Sequence, residues 1–149
     1  MLLWMLAAAQ AAEQEEIDSV FKKGMWSLNT WAVINIASGA VLSKPDGSSR
    51  SSFHQMNAGW NLVNAGLATS ALVRSKPVEP QKLARVFWIN AGLDVVYVAA
   101  GFALQQKGCA EGRPDWEGWG SSIVLQGTSL LLFDGFMGWT MSRYGSTEQ

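Results

Sequence analysis

Val86-Phe87-Trp88-Ile89-Asn90-Ala91-Gly92-Leu93-Asp94-Val95-Val96-Tyr97-Val98-Ala99-Ala100-Gly101-Phe102-Ala103-Leu104-Gln105-Gln106 carries a single formal charge, Asp94. An α-helix needs about 20 predominantly apolar residues to cross about 30 Å of hydrocarbon. A soluble amphipathic helix, by contrast, keeps charge along the face that meets water. The stretch fits the first description and not the second. Three further windows repeat the pattern: Gly24 to Ser43 and Ser51 to Val73 have no Lys, Arg, Asp or Glu, and Gly118 to Ser142 has only Asp134. The last of these is apolar on more than one helical face, as in Ile123-Val124-Leu125 and Leu130-Leu131-Leu132-Phe133. The expected fold is therefore all-α, a transmembrane up-down four-helix bundle with spans near residues 24–43, 53–73, 84–106 and 119–142. The competing reading is a soluble bundle of buried or partner-covered helices.

Whole-chain averages hide this. With 149 residues the chain has the size of one domain. The hydrophobic fraction is 48% and the net charge −1, values that a soluble helical protein shares. A net charge so close to zero argues against a nucleic-acid partner. Tryptophan is informative because an indole has an apolar body and a wet N–H, which suits membrane interfaces. Trp26, Trp88 and Trp139 fall near window ends on one side of an up-down bundle, and Trp116 and Trp119 on the other, while Trp31 and Trp60 lie deeper.

Residues 1–12 are apolar and end in small residues. They read either as the hydrophobic region and cleavage site of a secretory signal, although no basic residue precedes them, or as an interfacial N-terminal helix. Residues 13–23 form a polar lead-in, acidic and then basic at Lys22-Lys23. Turn-forming residues mark the connections: Pro45, Asp46 and Gly47, then Pro77 and Pro80, then Gly108, Gly112 and Pro114. Short connections make consecutive helices antiparallel neighbours. Lys22, Lys23, Arg74, Lys76, Lys82, Arg85 and Arg143 fall on the side of the termini, against Lys44, Arg50, Lys107 and Arg113 opposite. The positive-inside rule then places both termini in the cytoplasm. A cleaved signal would instead place the mature N-terminus outside.

The polar residues within the windows keep helical spacing. Asn57, Asn61 and Asn64 share one face of the second helix; Asn90, Asp94, Tyr97 and Gly101 share one face of the third; Ser122, Gln126 and Ser129 share one face of the fourth. Asn35 has Trp31 and Gly39 on its face of the first. Amides and carboxyls facing lipid would lack partners, so each stripe is expected to face inward. Gly59, Gly66, Gly92 and Gly101 lie near the stripes and would permit close helix approach. Counting about 1.5 Å of rise per residue puts Asn35, Asn64, Asp94 and Asp134 roughly 12–16 Å from the edge shared by the N-terminus and the second connection. One such residue per helix would form a layer, joined by Asn61 and Asn90. Asn57 and Gln126 would form a second layer toward the opposite face. Two readings follow. The polar core is interhelical glue, with the two carboxyls never both ionised at close range, or Asp94 and Asp134 serve proton, cation or small-ligand movement.

Other chemistry finds little support. His54 is the only histidine and Cys109 the only cysteine, so a bis-His haem, a multi-His metal site and an internal disulfide are all beyond this chain. No GxSxG, HExxH, GxGxxG or P-loop pattern occurs. Neither an enzyme nor a cofactor is expected. The expected partners are the lipid bilayer and a second copy or a larger membrane complex.

Asn57-Ala58-Gly59 recurs as Asn90-Ala91-Gly92, and Trp31-x-x-x-Asn35 as Trp60-x-x-x-Asn64, the pattern of a weak internal repeat or of chance in helices rich in small residues. The segments Met56 to Asn64, Asn90 to Tyr97, Gly118-Trp119-Gly120, Gln126-Gly127 and Phe133-Asp134 resemble an uncharacterised family of small bacterial four-helix integral membrane proteins, a domain of unknown function. The resemblance spans about residues 20–142. It implies the bundle and a bacterial inner-membrane location, and nothing catalytic.

Overall fold

The computed structural model describes residues 1–74 and 76–145. Among them the chain is all-α, with four helices and no strand: α1 Leu2–Leu42, α2 Ser49–Leu72, α3 Pro80–Glu111 and α4 Pro114–Gly145. The N-terminal apolar segment, the polar lead-in and the first charge-poor window form one uninterrupted helix of 41 residues. The helices run past the windows because charged residues such as Lys and Glu continue a helix as readily as apolar ones. Absence of charge marks an apolar slab, not the ends of the helices.

The connections are tighter than their composition suggests. Between α1 and α2, the Ser48 hydroxyl accepts from the Ser51 N–H at 3.1 Å and caps α2. Asp46 accepts from the Ser48 N–H at 3.0 Å and from its hydroxyl at 2.7 Å, and these bonds hold its carboxyl below the usual range. Only Gly112 and Arg113 separate α3 from α4. Gly112 takes the left-handed conformation (φ 64°) that favours glycine, and the Arg113 N–H returns to the Gly108 carbonyl at 2.8 Å. Cys109, next to the Gly108 that marks the third connection in the sequence, therefore lies exposed in the last turn of α3. In the α2–α3 connection Val78 is buried against α1. Its N–H donates to Asp18 at 3.1 Å and its carbonyl accepts from Gln14 at 3.1 Å, so one turn of α1 holds both polar groups of that residue.

Consecutive helices are not all neighbours. α1 packs on α2 and α3 packs on α4 as antiparallel hairpins, but among the described residues α2 and α3 do not pack backbone to backbone. α4 lies between them, antiparallel to α3 and parallel to α2. Glycines on two sides of α4 account for this. A Cβ at Gly118 would collide with the Ser49 carbonyl of α2, and one at Gly120 would stand 2.6 Å from the Gly101 carbonyl of α3. Neither backbone could come so close to a larger residue. Gly59, Gly66 and Gly92, read from the sequence as contact residues, face open space; of that set only Gly101 meets a neighbouring helix.

Burial is inverted relative to a water-soluble bundle. Asn61, Ser122 and Gln126 are fully buried, while Leu67, Val96 and Leu132 are 64%, 61% and 72% exposed. Among the described residues there is one apolar cluster, at the end where α1 meets the close of α4, built from Ile17, Phe21, Met25, Val78, Phe87 and Met141 with their neighbours. The Tyr144 hydroxyl donates to Glu16 at 2.8 Å beside it, which raises the phenol above its ordinary range and ties the end of α4 to α1. Among the described residues α3 is the one helix long and apolar enough to cross a membrane by length and composition. The other three also expose large apolar side chains: Val33, Ile34 and Val41 on α1, Leu62, Val63 and Leu67 on α2, and Leu125, Leu132 and Phe136 on α4. Their averages are pulled down by inward Asn, Gln and Ser and by glycine.

The α3–α4 contact gives a direct test. Gly120→Val is expected to destabilise the fold by about 1–3 kcal/mol in denaturant unfolding, as overpacking does. Gly59→Ala, whose methyl meets nothing, is expected to be neutral or to stabilise by up to about 1 kcal/mol through helix propensity.

Candidate functional site

Helical periodicity brings the polar stripes inside, and the packing around α4 then sorts them into two groups. The first is a network of amides. Asn57 of α2 donates through Nδ2 to Asn35 Oδ1 of α1 at 2.8 Å, and its own Oδ1 accepts from Gln126 of α4. Gln126 Oε1 in turn accepts from the Trp31 indole N–H at 3.4 Å. Asn35 donates its amide hydrogen to the Trp31 carbonyl one turn earlier, at 2.8 Å. Three helices thus meet at one Asn side chain. Asn61 donates to the Asn57 carbonyl at 2.8 Å and accepts from Asn64 at 3.4 Å, extending the network along α2.

The second group surrounds a cavity of about 360 Å³ that takes residues from all four helices. Asn64, Asn90, Asp94 and Asp134 line it, and the Asp94 and Asp134 carboxyls are neighbours there. Both are buried, and among the described residues no group other than the neighbouring Asp134 carboxyl is placed to donate to Asp94 Oδ2. The walls are apolar and aromatic. Phe87 and Phe133 meet edge to face, with centroids 6.2 Å apart, and Trp60 and Tyr97 do so at 5.2 Å across the gap between α2 and α3.

The grouping differs from the one expected. Asn64, Asp94 and Asp134 do line one cavity, and Asn90 joins them half-buried. Asn35 does not: its partner is Asn57, so it belongs with the Asn57 and Gln126 layer. Depth along a helix is counted from the edge of the charge-free window, and α1 begins far outside its window. That count gives no azimuth, and it misplaces Asn35. Asn61 is buried in the amide chain and does not line the cavity. The two Asn-Ala-Gly repeats also differ in role, Asn57 being the buried hub and Asn90 a cavity wall. Trp60, Phe87 and Phe133 do not stand out as site residues in the sequence. Phe87 lies seven residues before Asp94, on its face, and Phe133 adjoins Asp134, which is the only sequence signal for either.

Charged and aromatic residues meet at both ends of the bundle. At one end Arg113 lies 3.9 Å and Lys107 4.9 Å from the Trp116 ring centroid. Arg113 also pairs with Asp115 at 2.7 Å and holds that carboxyl below its usual range. At the other end Arg143 lies 4.9 Å from the Trp139 ring, and the Trp88 N–H donates to the Ser142 hydroxyl at 3.2 Å.

The amide hub should dominate stability. Asn57→Leu would leave Asn35 Oδ1 and a Gln126 N–H without partners, and is expected to cost about 1–3 kcal/mol for each group left unsatisfied. A double-mutant cycle between Asn35→Ala and Asn57→Ala is expected to show a coupling of about 0.5–3 kcal/mol. Asn29→Ala removes only an exposed bond to Thr69 and is expected to change unfolding by less than about 0.5 kcal/mol.

Residues 27–135 match DUF6992, a family of unknown function, and the chain belongs to that family. No curated protein and no solved structure matches it.

Proposed function

We propose that this DUF6992 protein is an integral membrane protein, a small structural or accessory subunit whose four helices cross the bilayer around a hydrogen-bonded polar core. The observation that carries the reading is the inversion of burial: amides, carboxyls and hydroxyls inside, Leu, Val, Ile and Phe outside. In water this arrangement would forfeit most of the hydrophobic gain of folding. In lipid it is the favourable one, since hydrocarbon gives no drive between apolar helix faces and cannot satisfy a polar one. Close glycine packing and interhelical amide bonds, worth about 0.6–2 kcal/mol each, then hold the bundle.

Two further observations support it. Trp116 with Arg113 and Lys107 at one end, and Trp139 with Arg143 at the other, form the amphipathic rims that interfaces favour. Between them α3 offers a charge-poor run of a length that spans roughly 30 Å. The exposed outer faces then contact lipid, a second copy or a larger membrane assembly. The bacterial inner membrane is the proposed location, with both termini cytoplasmic by the distribution of Lys and Arg. A carrier reading centred on Asp94 and Asp134 has less support, because the buried Asn35, Asn57 and Gln126 lie beyond the cavity and not along its wall.

Cys109 makes the test clean, being exposed and the only cysteine. The chain is expected to sediment with membranes, to resist alkaline carbonate and to yield to detergent. In intact spheroplasts a membrane-impermeant maleimide should label Cys109. A Lys23→Cys variant in a Cys109→Ser background should stay unlabelled until the membrane is opened. Recovery in the soluble fraction would overturn the membrane reading, and reversed labelling would overturn the orientation alone.

A further inference from the structure

We propose that the cleft between α2 and α3 binds a lipophilic organic cation, an apolar body carrying one positive charge, with Asp94 as its counter-ion and Asp134 behind it. The cleft exists because α4, not α3, packs against α2. The helices that flank it are bridged by Trp60 and Tyr97 and leave the cavity of about 360 Å³ between them. Leu67, Val86 and Leu93 line it and are exposed, so its mouth is apolar.

The chemistry of the lining selects the ligand. Asp94 is 3% exposed and lines the cavity, and among the described residues no group other than the neighbouring Asp134 carboxyl is placed to donate to its Oδ2. A buried acceptor in that position is costly unless something donates to it or pairs with its charge. Among the described residues no Lys, Arg or His lines the cavity, so an anionic head would meet amide and hydroxyl donors but no positive charge, and two carboxyls besides. Aromatic rings, Phe21, Trp60, Phe87, Tyr97 and Phe133, make up much of the remaining wall, and their faces attract a cation. A bare metal ion fits poorly. Among the described residues no three His, Cys, Asp or Glu converge, and hard divalent cations take about six or more oxygens. An organic cation satisfies all three features at once: its charge meets the carboxyl, its body meets the rings, and its desolvation is small. Sideways access from the bilayer rests on the membrane reading above, whereas binding itself does not.

The test uses two ions of the same shape and opposite charge, tetraphenylphosphonium and tetraphenylborate, together with the smaller cation benzyltrimethylammonium. Each is titrated into the purified full chain by equilibrium dialysis, with tryptophan fluorescence as a second readout. One or both cations are expected to bind saturably at one per chain, while tetraphenylborate shows only non-saturable partitioning. Asp94→Asn is expected to weaken cation binding at least tenfold. Leu93→Trp, which narrows the mouth and leaves both carboxyls in place, is expected to do the same, and it decides the matter if the Asp94 variant does not fold. Equal binding of both signs of charge, no saturable binding of either cation, or wild-type affinity in a folded Leu93→Trp or Asp94→Asn protein would each overturn the proposal. The titration runs equally in detergent or in plain buffer. A soluble chain that still binds the cation would therefore sink the membrane reading and leave this one standing.

Discussion

The Asn57 side chain is the junction on which the arrangement of helices rests. Its amide faces α1 and α4 at once, donating to Asn35 and accepting from Gln126. An Asn carries both donors and an acceptor on a short, nearly rigid stem. It can hold two helices only if both approach closely and at fixed height. Gly39 on α1, against Ala58 and the His54 carbonyl, and Gly118 on α4, against Ser49 and Phe53, provide that approach on either side of α2. The hydrogen bonds and the glycine contacts therefore specify the same geometry, one by direction and the other by distance.

With α4 held against α2, the position of α3 follows. The short Gly112-Arg113 link lays α3 antiparallel on α4, and Gly101, Gly108, Gly120 and Gly127 bring the two backbones together along most of their length. Asp94 and Asp134 then meet beyond the last of these glycines. α3 has no remaining face for α2, and the space between those two helices becomes the cavity. The acid pair and the opening beside it are thus products of one packing constraint, set by where α4 carries glycine.

Much of this is legible in the residues. Charge-poor windows locate all four helices, and the spacing of Asn57, Asn61, Asn64, Asn90, Asp94, Gln126 and Asp134 marks the faces that turn inward. Periodicity reports the face of a helix and not which neighbour that face meets. Hence it puts Asn35 in the wrong layer, and short connections put α2 beside α3. The neighbours are encoded instead in the glycines of α4, and a glycine with open space around it, such as Gly59, looks identical in sequence to one under another backbone. The aromatic wall is illegible for a related reason. Phe87 and Phe133 read as ordinary apolar residues of a membrane-like helix, and only their convergence with the acids distinguishes them from Phe136, which lies exposed.

The chain is also divided for assembly. Its contacts fall into two hairpins, α1 with α2 and α3 with α4, joined mainly through the α2–α4 surface. Hairpin contacts are local in sequence and close early, whereas the α2–α4 surface joins residues far apart, as between Asn57 and Gln126. Until the halves dock, Gln126 has no Asn57 to donate to, and burying that amide without a partner is costly. That penalty makes docking self-correcting: a mispaired dimer of hairpins would keep an amide bare, and only the native pairing removes it. The Val78 peptide held by Gln14 and Asp18 then serves as a latch, fastening the linker between the halves to α1.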